Sequence, residues 1–126
     1  MNFISLECST SSPSVSIFSN NKHIDIYQIE ESTSSVLPLY IQRILEKNSI
    51  LINKVDYIAT IIGPGRFTGI RVGLSLSQGL AYSLGIPIVP INAIEVLNNQ
   101  VKMDKKYTVA IHSHKNFIIY QHFNEK

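Results

Sequence analysis

The chain has 126 residues, 44% of them hydrophobic, with eleven Lys and Arg against nine Asp and Glu for a formal charge of +2 at pH 7. That length fits one compact domain, and the apolar share excludes disorder along the whole chain. So small a cationic surplus excludes a strongly basic surface, and tight binding of nucleic acid by this chain alone is not expected. The single cysteine, Cys8, excludes an internal disulfide and fits a reducing compartment. No run approaches the ~20 apolar residues of a membrane span, and the N-terminus lacks the pattern of a signal peptide. A cytoplasmic protein without membrane association is expected.

Phe3 to Glu7 alternates apolar and polar residues and reads as a first strand. A Ser/Thr/Pro turn over 9–14 leads to a second strand with Val15, Ile17 and Phe18. Asn20-Asn21 is a hairpin signal before a third strand with Ile24, Ile26 and Ile29. From Ser32 the period changes: Val36, Leu37, Tyr40, Ile41, Ile44 and Leu45 mark an amphipathic helix. Ser32 to Ser35 offer N-cap oxygens, Pro38 fits only its first turn or a bend, and Asn48 can end it. Tyr57 to Ile62 is a short apolar run that reads as a strand buried on both faces. A second helix is expected over 67–84, stopped by Gly85 with Pro87 beyond, then another buried strand over 86–91. Asn92-Ala93-Ile94-Glu95 has the spacing of a capping box for a third helix to about Asn99. Tyr107 to Ile111 and Phe117 to Phe123 read as a final hairpin around His114-Lys115-Asn116. Three antiparallel strands followed by two parallel ones added through crossover helices describe an α/β core of the ribonuclease H-like, actin-like ATPase (ASKHA) kind. The expected architecture is a mixed five-stranded sheet with flanking helices and a C-terminal β-hairpin.

The most unusual stretch is Ile62-Gly63-Pro64-Gly65-Arg66-Phe67-Thr68-Gly69-Ile70-Arg71-Val72-Gly73. Glycines between a strand and a helix suggest a phosphate loop, because free N–H groups at a helix start attract anions. The spacing argues against it. No Lys follows as a nucleoside triphosphate loop requires, and Gly65 and Gly69 enclose three residues where the dinucleotide fingerprint has two. Gly65, Gly69, Gly73 and Ser77 instead form a stripe of small residues, while Ile70, Leu74, Leu80, Ala81 and Leu84 can face the sheet. A glycine inside a helix costs about 1 kcal/mol relative to Ala, so close approach of another backbone is the expected compensation. Either the stripe packs on the chain's own first helix, or a partner's helix docks there.

This stretch, with Gln78-Gly79-Leu80-Ala81, Leu84-Gly85-Ile86-Pro87 and Asn92 to Leu97, resembles the signature of the TsaB (YeaZ) family. Weaker similarity runs from Phe3 to Leu97, and Val36-Leu37-Pro38-Leu39 resembles part of that family's first helix. The resemblance implies a role in making N6-threonylcarbamoyladenosine (t6A) in tRNAs that read codons beginning with A. It implies a non-catalytic scaffold that pairs with the catalytic paralogue TsaD through the first two helices. The pair would then recruit TsaE, with tRNA met only through the complex and self-association when the chain is alone. No cofactor, nucleotide or metal of its own is implied. The partner-binding residues it points to are Leu37, Tyr40, Ile41 and Ile44 on the first helix, and Phe67, Thr68, Gly69, Arg71, Val72, Gly73 and Ser77 on the second. Glycines at 69 and 73 would let a partner's helices come close.

The sequence departs from the family at three places. Arg66 stands where Ser is usual, Glu7-Cys8 replaces Asp-Thr after the first strand, and His112-Ser113-His114 replaces Asp-Ala-Arg. From the length, most of the family's second lobe is expected to be absent. Residues 1–100 are expected to form the first lobe, and 101–126 a linker and hairpin left from a shortened second lobe. Partner binding is then the function expected to remain, without anything that needs a cleft between lobes.

Two other readings stand beside this one: a divergent actin-like nucleotide-binding domain, and a self-associating homodimeric remnant. A nuclease would need several converging carboxylates, but Glu7 lies on the first strand, Asp56 precedes the fourth and Glu95 starts the third helix, with no second or third acid at the expected strand ends. His112 and His114 are spaced to share one strand face, with His122 on the facing strand, but without a carboxylate or thiolate beside them no metal is expected. No nucleophile–base pair for a peptidase is visible.

Overall fold

The computed structural model describes residues 1–30 and 34–124. Its elements in chain order are β1 (Asn2–Glu7), β2 (Ser14–Ser19), β3 (Lys22–Gln28), α1 (Leu37–Lys47), β4 (Tyr57–Gly63), α2 (Phe67–Leu84), β5 (Ile88–Asn92), α3 (Ala93–Gln100), β6 (Tyr107–His112) and β7 (Ile118–Phe123). The first five strands form one sheet in the order β3-β2-β1-β4-β5, and β6 and β7 form a second sheet of two. β1, β2 and β3 pair antiparallel, whereas β4 joins β1 and β5 joins β4 in parallel.

Local chemistry accounts for the boundaries. Asn20 and Asn21 both take positive φ, 50° and 63°, the geometry of the tight turn that joins β2 to β3. Pro38 lies in the first turn of α1, and the Asn48 side chain closes its last turn by donating to the Ile44 carbonyl at 2.8 Å. Gly85 ends α2 in the left-handed region at φ 66°, where a residue without Cβ is unstrained. The Asn92 side-chain oxygen caps α3 by accepting from the Ile94 N–H at 2.8 Å. Of the cap oxygens expected for α1, Ser32 and Thr33 lie outside the described residues, and α1 starts from Val36 without a side-chain cap.

The core occupies one face of the large sheet. Ile4 and Leu6 of β1, Val15 and Ile17 of β2 and Ile58 of β4 pack with Leu37, Ile41, Ile44 and Leu45 of α1 and Ala81 of α2. Alternation sends the intervening residues to the other face. There Phe3 stacks between Phe18 and Tyr57 with ring centroids 4.5 Å apart on both sides. Ile24 and Ile26 remain 44% and 48% exposed, because the inward positions of β3 belong to Asp25 and Tyr27, which pair with Ile17 and Val15.

Two expectations change. β5 is not buried: it forms the sheet edge, with Val89 and Pro90 exposed, and an edge is where a strand tolerates proline. His114 does not share a strand face with His112, because β6 ends at His112 and His114 lies in the turn.

Candidate partner-docking site

The loop from β4 to α2 is held by residues from two other parts of the chain. The Arg66 N–H donates to the Ser9 carbonyl at 2.7 Å, and the buried Ser113 hydroxyl donates to the Gly65 carbonyl at 3.2 Å. A Cβ at Gly65 would stand 2.6 Å from the Ser9 carbonyl oxygen, so no side chain fits there. Glu7 shapes the facing turn: its carboxylate accepts from the Ser9 N–H at 2.7 Å, from the Ser9 hydroxyl and from the Thr10 hydroxyl at 2.9 Å. The departure at Glu7 thus builds the turn that the β4–α2 loop rests on.

The stripe of small residues faces inward. A Cβ on Gly69 would lie 2.0 Å from the Cys8 carbonyl oxygen, and one on Gly73 would lie 3.1 Å from both Cβ and Sγ of Cys8. Ser77 is fully buried and returns its hydroxyl to the Gly73 carbonyl at 2.8 Å. The close approach is therefore between α2 and the end of β1, and neither a partner's helix nor α1 fills that role. Leu37, Ile41 and Ile44 are also buried, on the side of α1 that meets the sheet. Val72 is half-buried against the same core, as is Tyr40, which lies edge-on to Tyr27 of β3 with Arg43 over its ring. Eight of the eleven expected partner-facing residues are thus engaged within the chain.

The other three lie outward. Phe67 is 67% exposed at the start of α2, with Thr68 and Arg71 exposed beside it. The Arg71 guanidinium sits 5.3 Å from the centre of the Phe67 ring. Three residues not expected from the sequence extend this face: Ser75, Gln78 and Tyr82, the last 92% exposed. Counting helical turns forward from Arg71 would have found them. A hollow of about 500 Å³ lies between Phe67, Arg71, Val72 and Leu76.

The titratable groups near the stripe offer no nucleophile. Burial, with the Glu7 charge adding to it, pushes the Cys8 thiol up to about 11, so it stays protonated at neutral pH. His122 Nδ1 meets the Thr108 hydroxyl at 2.7 Å, and the His112 Nε2–H donates to the Lys115 carbonyl at 2.7 Å. Among the described residues no group of three His, Cys, Asp or Glu converges as a metal site would require.

A five-stranded sheet of this order, with helices α1 and α2 over one face, places the chain in the ribonuclease H-like class that includes the actin-like ATPases. Solved structures agree. The fold matches YeaZ from Pseudomonas aeruginosa with a TM-score of 0.84 at 21% identity, over 99% of this chain and 60% of that one. It also matches RuvC of T. thermophilus, solved with a Holliday junction substrate, with a TM-score of 0.56 at 9% identity over 81% of this chain and 71% of that one. A family model described as TsaD, tRNA N6-adenosine threonylcarbamoyltransferase, matches residues 28–124. The chain belongs to that family, and within it to the TsaB (YeaZ) branch. The TsaB protein of Haemophilus influenzae is 32% identical over 77% of this chain and 42% of its own length. The TsaB protein of Buchnera aphidicola subsp. Baizongia pistaciae is 32% identical over 86% of this chain and 50% of its own length. This chain spans about half the length of these relatives.

Proposed function

We propose that this protein is a non-catalytic subunit in t6A synthesis that docks the threonylcarbamoyltransferase subunit TsaD through the outer face of α2 and the adjoining part of α1. The observation that carries the reading is the exposed Phe67–Arg71 corner. An aromatic ring with a guanidinium over it, beside a shallow hollow, is the composition of an interface anchor. The match to proteins named for threonylcarbamoyladenosine biosynthesis supplies the pathway. Burial of the small-residue stripe moves the proposed contact from Gly69, Gly73 and Ser77 to Phe67, Thr68, Arg71 and Tyr82. We read β6–β7 as the beginning of a second lobe, supported by its separation from the large sheet. The protonated thiol and the carboxylate committed to a turn support a scaffold over an enzyme.

The test is co-purification of the tagged chain with the threonylcarbamoyltransferase subunit from the same genome, with calorimetry on the purified pair. A stoichiometric complex that forms at micromolar concentration and weakens at least tenfold in Phe67→Ala is expected. Absence of a complex, with the chain alone sedimenting as a stable dimer, would replace this reading with self-association.

A further inference from the structure

A cleft of about 1360 Å³ opens between the β4–α2 loop, the turn after β1 and the tip of the β6–β7 hairpin. Its lining brings together the cations Arg66, Arg71 and Lys115, with His112 and His114 beside them, and among the described residues it contains no Asp or Glu. Among the described residues the ion pair found is Lys47 with Asp25, on a different part of the surface, so the cleft cations carry charge without a carboxylate counter-ion. Glu7 lies in the neighbouring hollow, which Arg66 and His112 also line, and its oxygens are committed to Ser9 and Thr10. α2 starts at this cleft with no acid in its first turn. At the hairpin tip, Phe117 is 62% exposed and stacks on His114 with centroids 5.0 Å apart.

We infer that this cleft binds the phosphodiester backbone of single-stranded RNA, with Arg66 and Lys115 on the phosphates and Phe117 offering a plane for a base. Cations along a groove beside an exposed ring are what sequence-tolerant single-strand binding uses. A nucleoside triphosphate fits the lining less well, because its Mg²⁺ would need a carboxylate and the described residues of the cleft offer none. The cleft reaches Phe67, Thr68 and Arg71 of the docking corner, whereas Lys115 comes from the hairpin, so the charge of Lys115 can be changed without altering that corner. With a net charge of only +2, binding by the chain alone is expected in the non-specific range of about 1–100 μM.

The experiment is fluorescence anisotropy of a short end-labelled single-stranded RNA on the full chain at several salt concentrations. It is run beside the double variant Arg66→Glu/Lys115→Glu and a charge-matched control, Lys22→Glu/Arg43→Glu. The cleft variant is expected to bind at least tenfold more weakly. Its slope of log affinity against log salt should be shallower by about 0.7 for each phosphate that is no longer neutralised. The control should keep the wild-type slope, and all three proteins should melt at the same temperature. RNA binding weakened equally by both double variants, or absent in wild type, overturns the proposal. Mg²⁺–ATP displacing the RNA at lower concentration than unlabelled RNA does would overturn it in favour of a nucleotide site. The single variant Lys115→Glu should also bind RNA more weakly while its co-purification with the threonylcarbamoyltransferase subunit is unchanged, which keeps this test separate from that of docking.

Discussion

The two faces of α2 are built on opposite principles. The inner face gives up side chains so that the helix backbone lies against Cys8: Gly69, Gly73, Ser77 and Ala81 follow one another at every fourth position. The outer face carries Phe67, Arg71, Gln78 and Tyr82 into solvent. Glycine at one position is thus required by sterics, and at another it is only a helix defect. Gly79 shows the contrast, since a Cβ there meets nothing within 4 Å. A small residue in a helix does not by itself mark a docking surface. What stands opposite it decides.

The strongest test of this contrast is a matched pair of alanine substitutions. Gly69→Ala should destabilise the chain by about 3 kcal/mol or more, because the new methyl meets a backbone carbonyl that cannot move aside. Gly79→Ala should stabilise it by about 0.5–1 kcal/mol through helix propensity. Urea melts of both read the difference, and equal effects would break the comparison. Gly65→Ala should cost about 2 kcal/mol from its collision with Ser9 and lower the thermal midpoint accordingly.

On the outer face, Phe67→Ala should leave stability within about 0.5 kcal/mol while weakening partner capture roughly tenfold, about 1.4 kcal/mol. A large loss of stability would move Phe67 to the structural side of the helix. For the inner face, alkylation of Cys8 should be slow in the native chain at pH 8 and rise towards pH 11, whereas the unfolded chain reacts with a midpoint near 9. Because the folded thiol titrates later, the unfolded state sheds its proton first. Stability should therefore fall as pH rises from about 9 to about 11, and a flat pH profile there would contradict burial of the thiol. The smallest effect is at Thr60, whose buried hydroxyl has no hydrogen-bond partner among the described residues. Thr60→Val should gain up to about 1 kcal/mol, since a methyl needs no partner.

Much of the fold was legible because period and punctuation agree. The change from alternation to helical spacing after β3, the Asn pair at 20–21, Gly85 and Asn92 all mark boundaries by local chemistry that the structure repeats. The orientation of the stripe was not legible. A repeat of four residues defines a helix face but not its neighbour, and the neighbour, Cys8, is about sixty positions away in the chain. Pairing of β3 was similarly hidden: Ile24 and Ile26 look like core residues, but register with Val15 and Ile17 gives the inner positions to Tyr27 and Asp25. Ser9 and Ser113 read as ordinary turn residues, and only the folded chain brings both to Gly65. Arg66 stood out as a departure from the family, but the cleft around it depends on Lys115 arriving from the hairpin.

The bond from Ser113 to Gly65 links two sheets that share no ladder. In mechanical terms it is a latch: the hairpin tip is fastened to the loop that starts α2, so a displacement of β6–β7 is transmitted to that helix end. A nucleic acid or a neighbouring lobe that took hold of the hairpin would therefore meet a strand end already tied to the base of the Phe67 corner.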